Sequence, residues 1–250
     1  MTIADPIPDH APLALAAFGA IQAGDAAALR RLLADNPGLA TARIVSDGTN
    51  CGRGERSLLH IATDWPGHFP RVAETIAELV RAGADVDARF AGAHAETALH
   101  WAASCDDVAA LDALLDAGAD IEAPGAVIGG GTPLADARAF RQWKAAARLV
   151  ERGAKTNIVD EATMGLLDRI RARFETSPPP EAEDISCAFW GACHGDRREC
   201  AEYLLDRGAE LNWIASWEPM TPLDAALRSD AGDLADWLRG RGARSSRELG

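Results

Sequence analysis

Positive charge is scarce in this sequence. Its 25 Lys and Arg are outnumbered by 38 Asp and Glu, which leaves a formal net charge of −13. A nucleic-acid backbone or an anionic membrane surface would repel such a chain, so neither is expected as a partner, and a basic or neutral one is. Long apolar runs are also missing, since none approaches the roughly 18 residues of a membrane-spanning helix. The opening MTIADPIPDH lacks the basic start and apolar run of a secretion signal. These two absences lead us to expect a cytoplasmic protein. The five cysteines are an odd number with no C-x-x-C pair, which argues against a disulfide framework or a zinc knuckle. Tyrosine occurs once, whereas tryptophan occurs seven times.

What the sequence does contain is a repeat, clearest from Thr97 to Ala123, TALHWAASCDDVAALDALLDAGADIEA. Thr97 suits a helix N-cap, Leu99, Ala102 and Ala103 give one helix a face for close packing, and Asp106-Asp107 breaks it. A second helix follows over Val108–Asp116 with an apolar stripe of Leu111, Leu114 and Leu115, and Gly118 stands where a helix end takes a left-handed residue. The chain then leaves as an extended finger. The same plan recurs. Thr97 and Gly118, Thr132 and Gly153, Cys187 and Gly208, and Thr221 and Gly242 share one offset. Another unit restarts at Ser57 and closes at Gly83, with about five extra residues in the turn Asp64–Pro70. Leu13–Ala34 forms an entry pair with Leu29, Leu32 and Leu33 turned inward, and Val159–Phe174 forms a short degenerate one. Residues 1–12 are expected to be an N-terminal arm, 176–184 a Pro-rich and acidic break, and 244–250 a polar tail, all within one domain spanning 1–250.

Thr97-Ala98-Leu99-His100-Trp101-Ala102 resembles the T-P-L-H-x-A signature of the ankyrin repeat, with Ala98 in place of the usual Pro. Ser57-Leu58-Leu59-His60-Ile61-Ala62 and Thr132-Pro133-Leu134-Ala135-Asp136-Ala137 carry variants of it. The resemblance implies an all-α fold, an ankyrin-repeat solenoid of about seven helix-turn-helix units with finger loops. The phrases LLHIATDWPGH, ETALHWAASCDDV, GGGTPLADA, AFWGACHGD and LNWI are similar to those of bacterial ankyrin-repeat proteins of unassigned function, which implies a bacterial source. It further implies that His60 and His100 are structural, linking adjacent units through the backbone. Binding would fall to the last turn of each first helix and to the finger residues just before each cap.

Carried over position by position, the candidate binding residues are Asp64, Trp65, His68, His94, Glu96, Ser104, Cys105, Phe140, His194, Trp213, Trp217 and Glu218. They mix aromatic side chains with charge of both signs, as interface hot spots do. Six of them, Asp64, Trp65, His68, His94, Glu96 and Ser104, are expected to converge on one polar pocket. The main reading is a module that holds a protein partner in its concave groove. A small-molecule site, or an enzyme using the His, Asp and Glu of that pocket, is the alternative. No catalytic residue, metal or cofactor is assigned. Gly129–Gly131 lacks the Lys and preceding strand of a phosphate loop. Cys187, Cys193 and Cys200 beside His194 occupy positions where small buried residues belong, and nothing in the sequence lowers the Cys105 thiol pKa.

Overall fold

In a computed structural model, residues 6–47 and 53–250 are described. They form two compact units, 1–154 and 155–250. The first opens with β1 (Ile7–Pro8), followed by α1 (Pro12–Gln22) and α2 (Ala26–Asp35). A hairpin of β2 (Ile44–Asp47) and β3 (Arg53–Arg56) then leads into α3 (Leu58–Thr63) and α4 (Val72–Arg81). Two further pairs complete the unit, α5 (Ala98–Ser104) with α6 (Val108–Asp116) and α7 (Pro133–Ala139) with α8 (Trp143–Glu151). The second unit holds α9 (Ile158–Met164) with α10 (Leu167–Phe174), α11 (Ala182–His194) with α12 (Arg198–Asp206), and α13 (Pro222–Arg228) with α14 (Gly232–Gly240). It ends in the short turn α15 (Ser246–Leu249).

The seven pairs repeat because the same local chemistry repeats. Between the two helices of four pairs the chain turns through a left-handed residue: Asp106, Arg141, Asp196 and Asp230 have φ of 56°, 60°, 56° and 57°, at one common offset from Thr97, Thr132, Cys187 and Thr221. After the second helix, Gly118, Gly153, Gly208 and Gly242 adopt φ of 91° to 100°, a conformation that a Cβ would disfavour. Within the first unit the first helices of neighbouring pairs stack side by side, α3 on α5 and α5 on α7, and the second helices do likewise, α2 on α4, α4 on α6 and α6 on α8. Small residues allow this close approach. Ala62, Ala102, Ala103 and Ala137 are fully buried. The outer helices are also tied by charge: Glu78 on α4 accepts from Arg30 on α2 and from Arg81, and these guanidinium groups hold its carboxyl down at about 2.

Several expectations need correction. Ile7 is not part of a free arm, because it pairs in parallel with Ile44, and β2 pairs antiparallel with β3, Ile44 facing Arg56. Both isoleucines are buried. Residues 44–56, between the entry pair and the unit that restarts at Ser57, thus form a hairpin, and its tip at 48–52 lies outside the described residues. Helix α11 begins at Ala182, inside the expected break, and Ser246–Leu249 of the expected tail is helical. Leu111 and Leu114 are buried as expected, whereas Leu115 is only half-buried. Among the described residues, no helix is long and apolar enough to cross a membrane.

Candidate functional site

The signature histidines show how one repeat is fastened to the next. His60 Nδ1 accepts from the backbone N–H of its own cap, Ser57, at 3.3 Å, so the proton sits on Nε2, which donates to the Glu96 carbonyl at 3.1 Å. His100 repeats the arrangement with Thr97 (3.1 Å) and the Gly131 carbonyl (3.3 Å). Burial lowers both imidazoles to about 4, so they are neutral, as these hydrogen bonds require. In the second unit the position of the signature His is taken by Trp190. Its indole N–H donates to the Met220 carbonyl at 3.2 Å. Glu96, Gly131 and Met220 each precede the next cap by one residue, so an indole makes the same link as an imidazole.

In the first unit the ends of α3, α5 and α7 surround a cavity of ≈ 450 Å³. Asp64, Trp65, Glu96, Ser104, Cys105 and Phe140 line it, joined by Thr63, Trp101, Val127 and Gln142. Helix ends in register explain the convergence, since Asp64, Cys105 and Phe140 are the C-cap residues of successive first helices. Trp65 is 82% exposed and Phe140 45%. Trp101 is held from behind by His60, ring centroids 4.9 Å apart and edge-on, and by Phe90 at 5.6 Å. Asp64 is paired with buried Arg56 at 2.9 Å and caps its own turn through the Trp65 N–H.

Glu96 is 7% exposed, and burial raises its carboxyl above the usual range, partly offset by a hydrogen bond with Trp101 and by the nearby His94. Beside it lies Asp136, which is fully buried with neither carboxylate oxygen at good hydrogen-bonding geometry to a partner among the described residues. Burial and the Glu96 charge push Asp136 up to about 7, while the backbone of Ile128 and Val127 pulls the other way. Cys105 is no activated nucleophile, because burial, Asp64 and Asp107 push its thiol up to about 11.

The remaining candidates lie elsewhere. His68 does not line the cavity. Its backbone N–H donates to Asp107 Oδ2 at 2.6 Å and its Nε2 meets the Cys105 carbonyl at 3.0 Å, so it pins the inserted turn to the neighbouring repeat. His94 is exposed and also stands outside the lining. In the second unit, Trp213 is not an exposed finger residue: it is buried, with its indole N–H on Glu183 Oε2 at 3.2 Å. His194 is likewise buried, stacked on Trp190 with centroids 5.5 Å apart and bonded through its carbonyl to Ser229 Oγ at 2.8 Å. Trp217 is exposed and edge-on to Trp190 at 5.5 Å, and Glu218 pairs with Arg228 at 2.6 Å. Cys193 and Cys200 are buried core residues. Among the described residues no group of three or more His, Cys, Asp or Glu is placed to hold a metal ion.

Of the residues that line the cavity, Thr63, Val127 and Gln142 were missed by sequence reasoning; Asp136, which is not part of the lining, was passed over as part of a signature variant. Its only sequence signal is a carboxylate inside an otherwise apolar helix face. Residues 95–126 match the ankyrin repeat family. The crystal structure of the human ASB11 ankyrin repeat domain is similar in fold, with 22% identity, a TM-score of 0.50, and coverage of 94% of this chain and 85% of that one. No curated protein matches the sequence. The chain thus contains an ankyrin repeat and has an ankyrin-repeat fold. Ankyrin repeats are in general protein–protein interaction modules that use extended concave surfaces.

Proposed function

We propose that this chain is a binding module that holds a protein partner in the groove of its first unit, across the ends of α3, α5 and α7. The observation that carries the reading is the cavity there. It presents exposed Trp65 and Phe140 next to half-buried Trp101 and to carboxylate, hydroxyl and amide groups. Aromatic anchors with a few polar groups around them are what interface hot spots are made of. A volume of ≈ 450 Å³ also falls within the range of small-molecule sites, which supports a small ligand in the same place as the second reading.

Affinity capture from the source organism with the wild-type chain, Trp65→Ala and Phe140→Ala tests this. The expected result is a partner retained by the wild type and lost from both folded variants. A partner held equally by all three would move the binding surface away from this groove.

A further inference from the structure

We propose that the cavity receives a basic side chain: an ammonium or guanidinium group of an extended, positively charged protein segment lodges among Trp65, Trp101 and Phe140 and faces the Glu96 carboxylate. The inference rests on the groove reading above and adds the chemistry of the partner.

Three observations lead to it. First, the wall is aromatic on three elements, and ring faces attract cations. Trp101 is the fixed member, braced by His60 and Phe90 and hydrogen-bonded to Glu96, so its indole is positioned before anything binds. Trp65 is the open member, exposed enough to close over a guest.

Second, the negative charge at the site is unbalanced. Asp64 is already neutralised by Arg56. Glu96 makes no ion pair among the described residues, yet it is largely removed from water. Asp136 stands close enough for the Glu96 charge to act on it and makes no ion pair among the described residues. Buried charge calls for a counter-charge. An incoming cation answers Glu96 directly and relieves its repulsion with Asp136, whereas a carboxylate or phosphate ligand would add to that repulsion.

Third, the chain carries a net charge of −13, which attracts a basic segment from a distance and repels an acidic one. A neutral apolar anchor would use the aromatic walls and leave Glu96 desolvated without compensation. The lining therefore favours a side chain with an apolar stem and a charged end, which describes lysine and arginine.

The test titrates the full chain with a short Gly/Ser peptide carrying spaced lysines, and with the same peptide carrying norleucine or glutamate in their place. The Trp101 indole N–H resonance reports occupancy. We expect saturable binding of the lysine peptide, weaker by about tenfold or more for the norleucine peptide, and none for the glutamate peptide. Trp65→Ala and Glu96→Gln should each weaken the lysine peptide about tenfold while the melting temperature holds. Trp65 is largely outside the packing, so that variant remains informative if Glu96→Gln unfolds. Equal binding of lysine and norleucine peptides would overturn the cationic assignment and leave the groove reading standing. Equal binding of the lysine peptide to wild type and both variants would show diffuse charge attraction and overturn the site. If no peptide moves the Trp101 resonance, the inference fails, and the groove reading then depends on the capture experiment alone.

Discussion

Asp136 is a carboxylate in a place that suits an apolar residue, and its free-energy cost depends on pH. Unfolded, it titrates near 3.8; folded, near 7. The folded state therefore holds its proton over that interval, and the contribution runs opposite to that of a salt-bridged acid. Below about pH 4 the group costs nothing through ionisation, stability falls as pH rises from about 4 to 7, and the full penalty is present above 7. Replacing Asp136 with Asn should raise stability at pH 8 by on the order of 1 to 3 kcal/mol and by little at pH 4. Chemical denaturation at the two pH values measures this. An equal effect at both would mean that Asp136 is ionised without penalty in the fold. The sequence displayed this residue without displaying its problem. Burial at Asp136 depends on the packing of α5 and α7, which no local pattern encodes.

At the scale of the element, the first helices α3, α5 and α11 each grip a carbonyl of the following finger. Trp190→Phe keeps the ring and removes the donor to Met220, so it should cost about 1 kcal/mol. Trp190→Ala also opens a void and should cost about 3 to 5 kcal/mol. Thermal unfolding of the two variants separates the hydrogen bond from the packing: equal losses would assign the whole effect to the hydrogen bond, and no loss in Trp190→Phe would assign it to packing. In α6, Leu114→Ala should cost about 2 to 5 kcal/mol, because Leu114 is fully buried. Its neighbour Leu115 should tolerate the same change better. The helix pairs were legible because four of them place the left-handed turn and the closing glycine at the same offsets from Thr97, Thr132, Cys187 and Thr221. The cavity wall was largely legible for the same reason, since Trp65, Cys105 and Phe140 stand at one offset from their caps Ser57, Thr97 and Thr132. Trp213 was not, because its partner Glu183 lies 30 residues away with no periodic relation to it. His68 was misplaced because the inserted turn follows no repeat.

For the molecule as a whole, opposing titrations shape the acid limb of stability. His60 and His100 have folded values near 4 against about 6.5 when unfolded, so their contribution is complete above 6.5 and is lost as pH falls from 6.5 to about 4. Asp136 relaxes over much of the same interval and offsets part of the loss. A stability profile from pH 8 to pH 4 should therefore be shallower for the wild type than for Asp136→Asn, in which the histidine contribution stands alone. Parallel profiles would show that Asp136 does not oppose the histidines. Glu78, held near 2 by Arg30 and Arg81, adds a further loss only below about 4.5. The strand pairing of Ile7 with Ile44 was beyond reach of the sequence, since a two-residue strand carries no period.

The links made by His60, His100 and Trp190 all end on a backbone carbonyl, and every amino acid has one. Glu96 supplies its carbonyl to His60 and its carboxylate to the cavity, while Gly131, with no side chain, serves His100 equally well. The position next to the cap thus carries a different side chain in each of these links while its carbonyl keeps its place in the scaffold. A lineage could exchange the side chain at 96 to recognise a different guest without renegotiating the fold.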